Sequence, residues 1–249
     1  MKRIVLLIFV SAVGTTLHAQ LKRTATMADK KVNNLVAQMT LEEKVGQMTQ
    51  VTLGVVGSQT DGELNAVALK KAVIDYKVGS ILNVTNHALT VAQWHVLLTQ
   101  IADEAKNTRL KIPIIYGLDG IHGQTYTLDA TLFPQNIGMA ATRNVELAKS
   151  ITKVAAKELR ASGVRWNFAP VLDLGRQPLW SRFPETYGED VLIGKIMGVA
   201  AVKAYEEDGL KSTTAVASCM KHYLAYSASR TGKDRTPIYL PEIEMREYY

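Results

Sequence analysis

The chain has 249 residues, of which 47% are hydrophobic and 21% are charged, the composition of an ordinary globular protein. Its length is sufficient for one large domain. The formal net charge is +6, but the basic residues are scattered among acidic ones without a basic block, so nucleic-acid binding is not indicated. A single cysteine, Cys219, excludes an internal disulfide and any CxxC metal or redox motif.

Residues 1–19 have the pattern of a secretory signal peptide. Two basic residues near the start precede an apolar stretch over 4–13, and a small-residue cleavage site ends at Ala19. A membrane anchor needs about 20 consecutive apolar residues, and this stretch is shorter. We therefore predict cleavage after Ala19 and a mature domain over 20–249 that is secreted or periplasmic and not bound to a membrane.

Helical and strand-like segments alternate along the rest of the chain. Apolar residues at helical spacing, together with capping signals, predict helices at 29–39, 40–48, 64–76, 91–105, 145–161 and 191–207. Short apolar runs predict strands at 51–56, 79–84, 112–118, 164–170 and 215–220. This alternation indicates right-handed βαβ units and a parallel sheet, which is an α/β fold.

The number of predicted strands is smaller than a closed barrel requires. Five strands are predicted, whereas a (β/α)8 barrel has eight. Residues 245–249 read as the start of another element and carry no stop signal. We therefore expect an incomplete domain.

Charged side chains follow three of the predicted strands at the point where each strand ends. They are Asp119 after the third strand, Arg176, Arg182 and Glu185 in the loop after the fourth, and Lys221 and His222 after the fifth. The carboxyl ends of parallel strands are where α/β sheets and barrels bind their ligands. Charges at three such ends predict a polar, hydroxyl-rich substrate.

Four long segments carry a family resemblance. They are IPIIYGLDGIHG (112–123), FPQNIGMAAT (133–142), RWNFAPVLDLGRQPLWSRFPETYGED (165–190) and CMKHYLAYSASRTGKDR (219–235). In order and spacing they resemble the N-terminal barrel domain of glycoside hydrolase family 3, β-glucosidase type, and TLEEKVGQM (40–48) fits as well. The resemblance implies the N-terminal portion of a (β/α)8 TIM-type barrel, truncated, with about five of eight strands present.

The resemblance also assigns residues to the first sugar subsite. Matched motif by motif, the residues that hold the sugar ring are Asp119, Arg182, Lys221 and His222. A carboxylate accepts from sugar hydroxyls, while lysine, arginine and histidine donate to others. A further family arginine has two candidates, Arg230 and Arg235, and the sequence does not choose between them. Other polar residues of the motifs are expected to brace loops: His122, Glu185, Glu189 and Asp190.

The residues that break the glycosidic bond are not predicted in this chain. In the family the nucleophile comes from a Ser-Asp-Trp-like segment further along, and β-glucosidases of this type take the acid/base from a later domain. The resemblance implies retaining hydrolysis of O-glycosyl bonds, with this chain supplying the sugar-binding half of the site. The expected partner is a β-linked oligosaccharide or glucoside. No cofactor or metal is expected, and linkage, sugar epimer and oligomeric state are left open.

Three alternatives compete with this interpretation. A non-catalytic fragment or carbohydrate-binding remnant would keep the sugar site alone. A β-N-acetylglucosaminidase of the same family carries a histidine in the loop after the Lys-His pair, and residues 224–229 contain none. A serine acyl-enzyme would use an SxxK motif, which occurs at 150–153 and 218–221, although the SDN element that accompanies it is missing.

Overall fold

The computed structural model describes residues 26–58, 61–83 and 85–249. The predicted signal peptide and its cleavage site lie outside the described residues. The chain divides into two units, Met1–Gln38 and Met39–Tyr249. The described part of the first unit contains helix α1 (Met27–Gln38). The second unit contains the sheet and every predicted site residue.

Strands and helices alternate in the second unit, as the sequence predicts. The strands are β1 (Gln50–Thr52), β2 (Ser80–Leu82), β3 (Ile115–Leu118), β4 (Trp166–Asn167) and β5 (Ala217–Ser218). The α-helices are α2 (Leu41–Gln47), α3 (Leu53–Val56), α4 (Ala66–Lys70), α5 (Val91–Ala105), α6 (Asn136–Ala141), α7 (Val145–Ala161), α8 (Val191–Tyr205) and α9 (Glu242–Tyr248). A π-helical turn follows α4 at Lys71–Asp75, and a 3₁₀ turn occupies Phe183–Glu185.

The described strands form one parallel sheet in the order β1-β2-β3-β4-β5. Ile81 pairs with both Val51 and Tyr116, and Asn167 pairs with both Leu118 and Ser218. Each strand therefore lies beside the next one in the chain, which is the order of consecutive strands in a (β/α)8 barrel. The predicted α/β fold with five parallel strands is confirmed, and closure into an eight-stranded barrel stays a prediction.

Helices α5 and α7 have the boundaries that the sequence predicts because each begins at a capping side chain. Thr90 and Gln93 form a capping box, in which the Gln93 backbone nitrogen donates to Thr90 Oγ1 (3.2 Å) and the Thr90 backbone nitrogen donates to Gln93 Oε1 (2.9 Å). Asn144 Oδ1 accepts from the Leu147 nitrogen at 2.9 Å. These bonds satisfy backbone N–H groups that a helix start leaves without partners.

The prediction of a strand over 51–56 is wrong in its second half. Strand β1 ends at Thr52, and the chain turns directly into the short helix α3. Leu53 and Val56 are both fully buried. Residues three apart point to opposite faces of a strand but to the same face of a helix, so burying both side chains on one side requires the helical turn.

Other predicted boundaries also differ from the structure. The helix predicted over 64–76 is α4 followed by the π-helical turn, and the helix predicted over 191–207 ends at Tyr205. Helix α6 was not predicted, and the element expected at 245–249 is α9, which begins at Glu242. All the later strands are shorter than the apolar runs that predicted them, because only part of each run pairs with a neighbouring strand.

The hydrophobic core lies between the sheet and its helices. Its centre combines side chains from the strands, such as Ile81 and Leu118, with Trp94 and Leu159 from α5 and α7, all fully buried. The Trp94 ring meets Tyr116 of β3 edge to face, with 5.8 Å between ring centroids. This packing fixes β3 against α5, and β3 leads directly into the candidate site.

Candidate active site

The carboxyl edge of the sheet brings Asp119 and Lys221 together. Asp119 directly follows β3, and Lys221 follows β5, where it forms a further parallel bridge with Val171 beyond β4. The Lys221 ammonium donates to Asp119 Oδ1. The Lys221 side chain is 12% exposed and the Asp119 side chain 36%. Two predicted residues, 102 positions apart in the sequence, thus form an ion pair that still reaches solvent.

His222 is held by a buried carboxylate that the sequence motifs did not assign to the sugar site. His222 Nδ1 lies 2.6 Å from Asp173 Oδ2, and the His222 backbone nitrogen donates to the same oxygen at 3.1 Å. The Asp173 side chain is only 1% exposed, whereas the histidine ring is 27% exposed. Asp173 therefore orients the imidazole from behind and leaves its other side toward the site.

Arg182 lies beside His222 and is fixed by Glu185. Arg182 Nη1 lies 3.1 Å from His222 Nε2, while Nε and Nη2 donate to the two Glu185 carboxylate oxygens at 2.9 and 2.7 Å. Burial alone would lower the pKa of Arg182, but the paired Glu185 carboxylate outweighs it and the pKa is raised. Arg182 is therefore a permanent cation with a fixed orientation.

The four predicted residues thus form two adjacent pairs. Asp119 pairs with Lys221, and Arg182 contacts His222. Because Lys221 and His222 are neighbours in the chain, the two pairs share one short segment of backbone. The arrangement offers one charged acceptor beside two fixed cationic donors, which is the chemistry that recognises several hydroxyls on one ring.

Two aromatic rings pack behind His222. Its imidazole meets Tyr226 edge to face at 4.8 Å, and Tyr226 meets Trp180 in the same way at 5.3 Å. Asp234 Oδ1 accepts from the Tyr226 hydroxyl (2.5 Å) and the Trp180 indole (2.9 Å). The Tyr226 bond is the main reason that the pKa of Asp234 is lowered, and the Trp180 bond adds to it. Asp234 is thus an ionised anchor for both rings.

Neither candidate for the further arginine belongs to these two pairs. Arg235 is 86% exposed, with Nε 3.6 Å from Asp234 Oδ2. The Arg230 guanidinium lies 5.5 Å from the centre of the Tyr239 ring. The choice between the two arginines therefore stays open.

Asn167 braces the loop that carries Asp119, a role that sequence reasoning missed. Its Oδ1 accepts from the Gly120 nitrogen at 2.8 Å, and its Nδ2 donates to the Gly120 oxygen at 3.0 Å. The Tyr205 hydroxyl also donates to this oxygen, at 3.2 Å. Asn167 is fully buried. The available signal was an uncharged polar residue within the predicted strand over 164–170, since a buried amide needs partners.

Several motif residues that were expected to brace loops do so. His122 Nδ1 lies 2.8 Å from the Phe133 carbonyl oxygen. Asp190 caps α8 by accepting from the nitrogens of Leu192 and Ile193 at 2.7 and 3.1 Å. These contacts shape the loops without adding a group to the candidate site.

The SxxK motifs do not assemble a serine nucleophile with its base. Ser218 Oγ donates to Glu206 Oε1 at 2.6 Å, while the lysine of that motif, Lys221, donates to Asp119. In the other motif Ser150 Oγ donates to the Glu146 carbonyl oxygen at 2.9 Å. A serine acyl-enzyme needs the serine within hydrogen-bond reach of its base, so neither motif has the required geometry.

A cavity of about 830 Å³ lies at the opposite edge of the sheet. It is lined by residues at or before the starts of β3, β4 and β5, among them Ile114, Arg165 and Ala215. In barrel enzymes the catalytic groups lie at the carboxyl edge, whereas the amino edge serves stability. The cavity shares no lining residue with the two pairs, and we do not assign it to the candidate site.

The fold and the site describe an α/β protein whose carboxyl edge carries groups suited to a polyhydroxylated ligand. Residues 40–249 match the family model described as the glycosyl hydrolase family 3 N-terminal domain. The chain therefore belongs to glycoside hydrolase family 3. This confirms the resemblance carried by the four sequence motifs.

Two curated relatives are β-glucosidases by name. The lysosomal beta glucosidase of Dictyostelium discoideum is 38% identical over 238 residues, which cover 89% of this chain and 29% of that protein. The periplasmic beta-glucosidase of Salmonella typhimurium is 32% identical over 212 residues, which cover 85% of this chain and 25% of that protein. The chain thus spans between a quarter and a third of the length of these relatives.

Solved structures give the same result for the fold. An exo-1,3/1,4-beta-glucanase from a Pseudoalteromonas species superimposes with a TM-score of 0.78 at 30% identity, covering 90% of this chain and 36% of the other. A beta-glucosidase from Listeria innocua, solved in complex with laminaribiose, superimposes with a TM-score of 0.73 at 29% identity, covering 87% and 29%. The chain therefore has the fold of the corresponding part of these glycosidases.

Proposed function

We propose that this chain supplies the sugar-binding half of the active site of a retaining β-glucosidase. The observation that carries the proposal is the convergence of Asp119, Arg182, Lys221 and His222 from three strand ends into two adjacent pairs. Family membership supports it, because relatives matched by the chain are named β-glucosidases. The Listeria complex with laminaribiose supports a β-linked glucoside as the ligand class.

The proposed site would act by holding a glucose-like ring while the glycosidic bond is broken. Asp119 would accept from ring hydroxyls, and Lys221 and Arg182 would donate to others. In a retaining glycosidase the ring distorts toward an oxocarbenium-like transition state, and hydrogen bonds that strengthen along this path lower the barrier. Fixed partners favour this, because little reorganisation is needed during the reaction.

The carboxylates near the proposed site have other roles. Asp173 is bonded to His222, Glu185 to Arg182, and Asp234 to Trp180 and Tyr226. A nucleophile must point at the anomeric carbon, with the acid/base carboxyl about 5 to 5.5 Å away. We propose that none of these three attacks the substrate, and that the nucleophile and acid/base of the full reaction come from other segments.

A hydrolysis assay tests this division of labour. The 249-residue chain should release 4-nitrophenol from 4-nitrophenyl β-glucoside at the rate of the buffer blank. Turnover above the blank would contradict the proposal. The variants Asp173→Asn, Glu185→Gln and Asp234→Asn would then show which carboxylate had acted as the nucleophile.

A β-N-acetylglucosaminidase fits the structure less well. Such family members need a histidine in the loop after the Lys-His pair, and residues 224–229 contain none. The aromatic residue of this loop, Tyr226, packs against His222, and its hydroxyl donates a hydrogen bond to Asp234. The loop thus supports His222 by packing and contains no histidine that could transfer a proton.

We further propose that the protein is exported and that its mature form begins at Gln20. No helix within the described residues is long and apolar enough to cross a membrane. N-terminal sequencing of the exported protein should start at Gln20, because the apolar stretch over 4–13 directs export and the small-residue site ends at Ala19. The variant Leu7→Arg, which places a charge in that stretch, should retain Met1 and stay in the cytoplasm. Wild-type protein found in the cytoplasm with Met1 intact would refute export.

A further inference from the structure

We infer that Asp173 is a positioning residue that fixes the tautomer of His222 and, through it, the direction of Arg182. The inference rests on the proposed function, since it concerns how the same sugar-binding site is organised. Asp173 is buried behind the imidazole and acts only through its neighbours.

The two contacts of the His222 ring require a single protonation state. A guanidinium has hydrogen-bond donors and no acceptor, so His222 Nε2 must accept from Arg182 Nη1 across their 3.1 Å contact. The proton of a neutral ring then lies on Nδ1, which is 2.6 Å from the acceptor Asp173 Oδ2. A ring with its proton on Nε2 would place two donors face to face at Arg182 and leave Nδ1 unable to donate to Asp173.

Arg182 is held from the opposite side at the same time. Its Nε–H and one Nη2–H donate to Glu185, and one Nη1–H donates to His222. Because a guanidinium has five N–H donors, one hydrogen on each terminal nitrogen remains beyond these three bonds, with the Tyr226 hydroxyl within reach of the guanidinium as a further partner. A continuous chain of hydrogen bonds therefore fixes the directions of these two hydrogens. It runs through Asp173, His222, Arg182 and Glu185.

The burial of Asp173 supports a role in the site. Placing a carboxylate where only 1% of the side chain is exposed is costly unless its partners compensate. Among the described residues its bonded oxygen serves only His222, through the ring and the backbone nitrogen. Its other oxygen, Oδ1, is buried without a hydrogen-bond partner in the described structure. A buried oxygen without a partner calls for an explanation, and a role in the site supplies one.

The unpartnered oxygen makes two substitutions informative. Asp173→Asn keeps one acceptor oxygen for the Nδ1–H, and its amide nitrogen can take the place of Oδ1. Asp173→Ala removes the acceptor completely. We therefore expect the first variant to keep the His222 proton on Nδ1. In the second, the ring loses the acceptor that holds it against Arg182, so it should turn away from Arg182 and no longer keep its proton on Nδ1 alone.

Nitrogen-15 NMR of the histidine rings tests the inference without any activity assay. His222 is assigned from the signals that disappear in His222→Gln. In the wild-type chain and in Asp173→Asn, Nδ1 should have the shift of a protonated nitrogen and Nε2 that of an unprotonated one. In Asp173→Ala both nitrogens should move toward intermediate shifts, because the released ring no longer keeps its proton on Nδ1 alone. A wild-type ring with its proton on Nε2, or an Asp173→Ala ring that keeps it on Nδ1, would overturn the inference.

Glucose binding supplies the second measurement. Asp173→Ala should weaken glucose binding about tenfold or more, the scale on which residues that orient another group affect affinity, while Asp103→Ala on the surface of α5 should leave it unchanged. The proposed function and the positioning role of Asp173 can be refuted independently of each other. A wild-type chain with the expected tautomer that binds no glucose would refute the proposed function alone. Unchanged glucose binding in Asp173→Ala would refute the positioning role alone.

Discussion

Asp119→Asn should weaken glucose binding by about 2 to 4 kcal/mol, which is about 30- to 700-fold in the dissociation constant. The substitution keeps the shape of the side chain but removes the charge that strengthens its hydrogen bonds to hydroxyls. It also leaves the Lys221 ammonium, which is 12% exposed, without its anionic partner. Isothermal titration calorimetry with glucose measures the change directly.

The chain offers a matched control for this substitution. Asp103 forms an ion pair with Lys106 at 2.6 Å on the surface of α5, where both side chains are more than half exposed. Asp103→Asn therefore also breaks an aspartate–lysine pair but should leave glucose affinity unchanged. If Asp119→Asn bound glucose as tightly as the wild type, Asp119 would have no part in sugar binding.

Trp94→Ala should lower the free energy of unfolding by about 3 to 5 kcal/mol, the usual cost of truncating a large buried aromatic side chain. Trp94 is fully buried and meets Tyr116 edge to face. Its indole nitrogen also donates to the Tyr126 carbonyl oxygen at 3.1 Å. The substitution would remove the contact that fixes β3 against α5. Because β3 positions Asp119, the candidate site would lose part of its support. Urea unfolding followed by circular dichroism measures the loss.

A neighbouring residue of the same helix serves as the control for Trp94. Val96 is 59% exposed on α5, and Val96→Ala should change the free energy of unfolding by less than about 0.5 kcal/mol. Equal effects of the two substitutions would show that α5 does not pack against the sheet as described.

Much of the fold could be predicted because local signals agreed with the final structure. Helices α5 and α7 directly follow Thr90 and Asn144, whose capping side chains precede apolar residues at helical spacing. A short apolar run can be buried as a strand or as a helix, and the sequence alone could not decide between the two. Residues 51–56 were predicted as one strand, and the structure divides them between β1 and α3 because Leu53 and Val56 both face the core.

The site could be predicted only in part. The positions of charged residues after three strands placed all four residues at one edge of the sheet: Asp119, Arg182, Lys221 and His222. The family resemblance then assigned these four to sugar binding. The supporting contacts depend on tertiary geometry. Asp173 reaches His222 across 49 residues, and no spacing rule connects the two. Buried hydrogen-bond networks of this kind become visible only when the backbone is known.

The central claim is that the carboxyl edge of this sheet binds a glucose-like ring, and an NMR titration of the 249-residue chain with glucose tests it most directly. The account predicts saturable shifts of the backbone amides of Asp119, Arg182, Lys221 and His222, and no such shifts around Ile114 and Arg165 at the opposite edge. The account would be contradicted if these amides did not shift at any glucose concentration, or if the shifts were confined to the opposite edge.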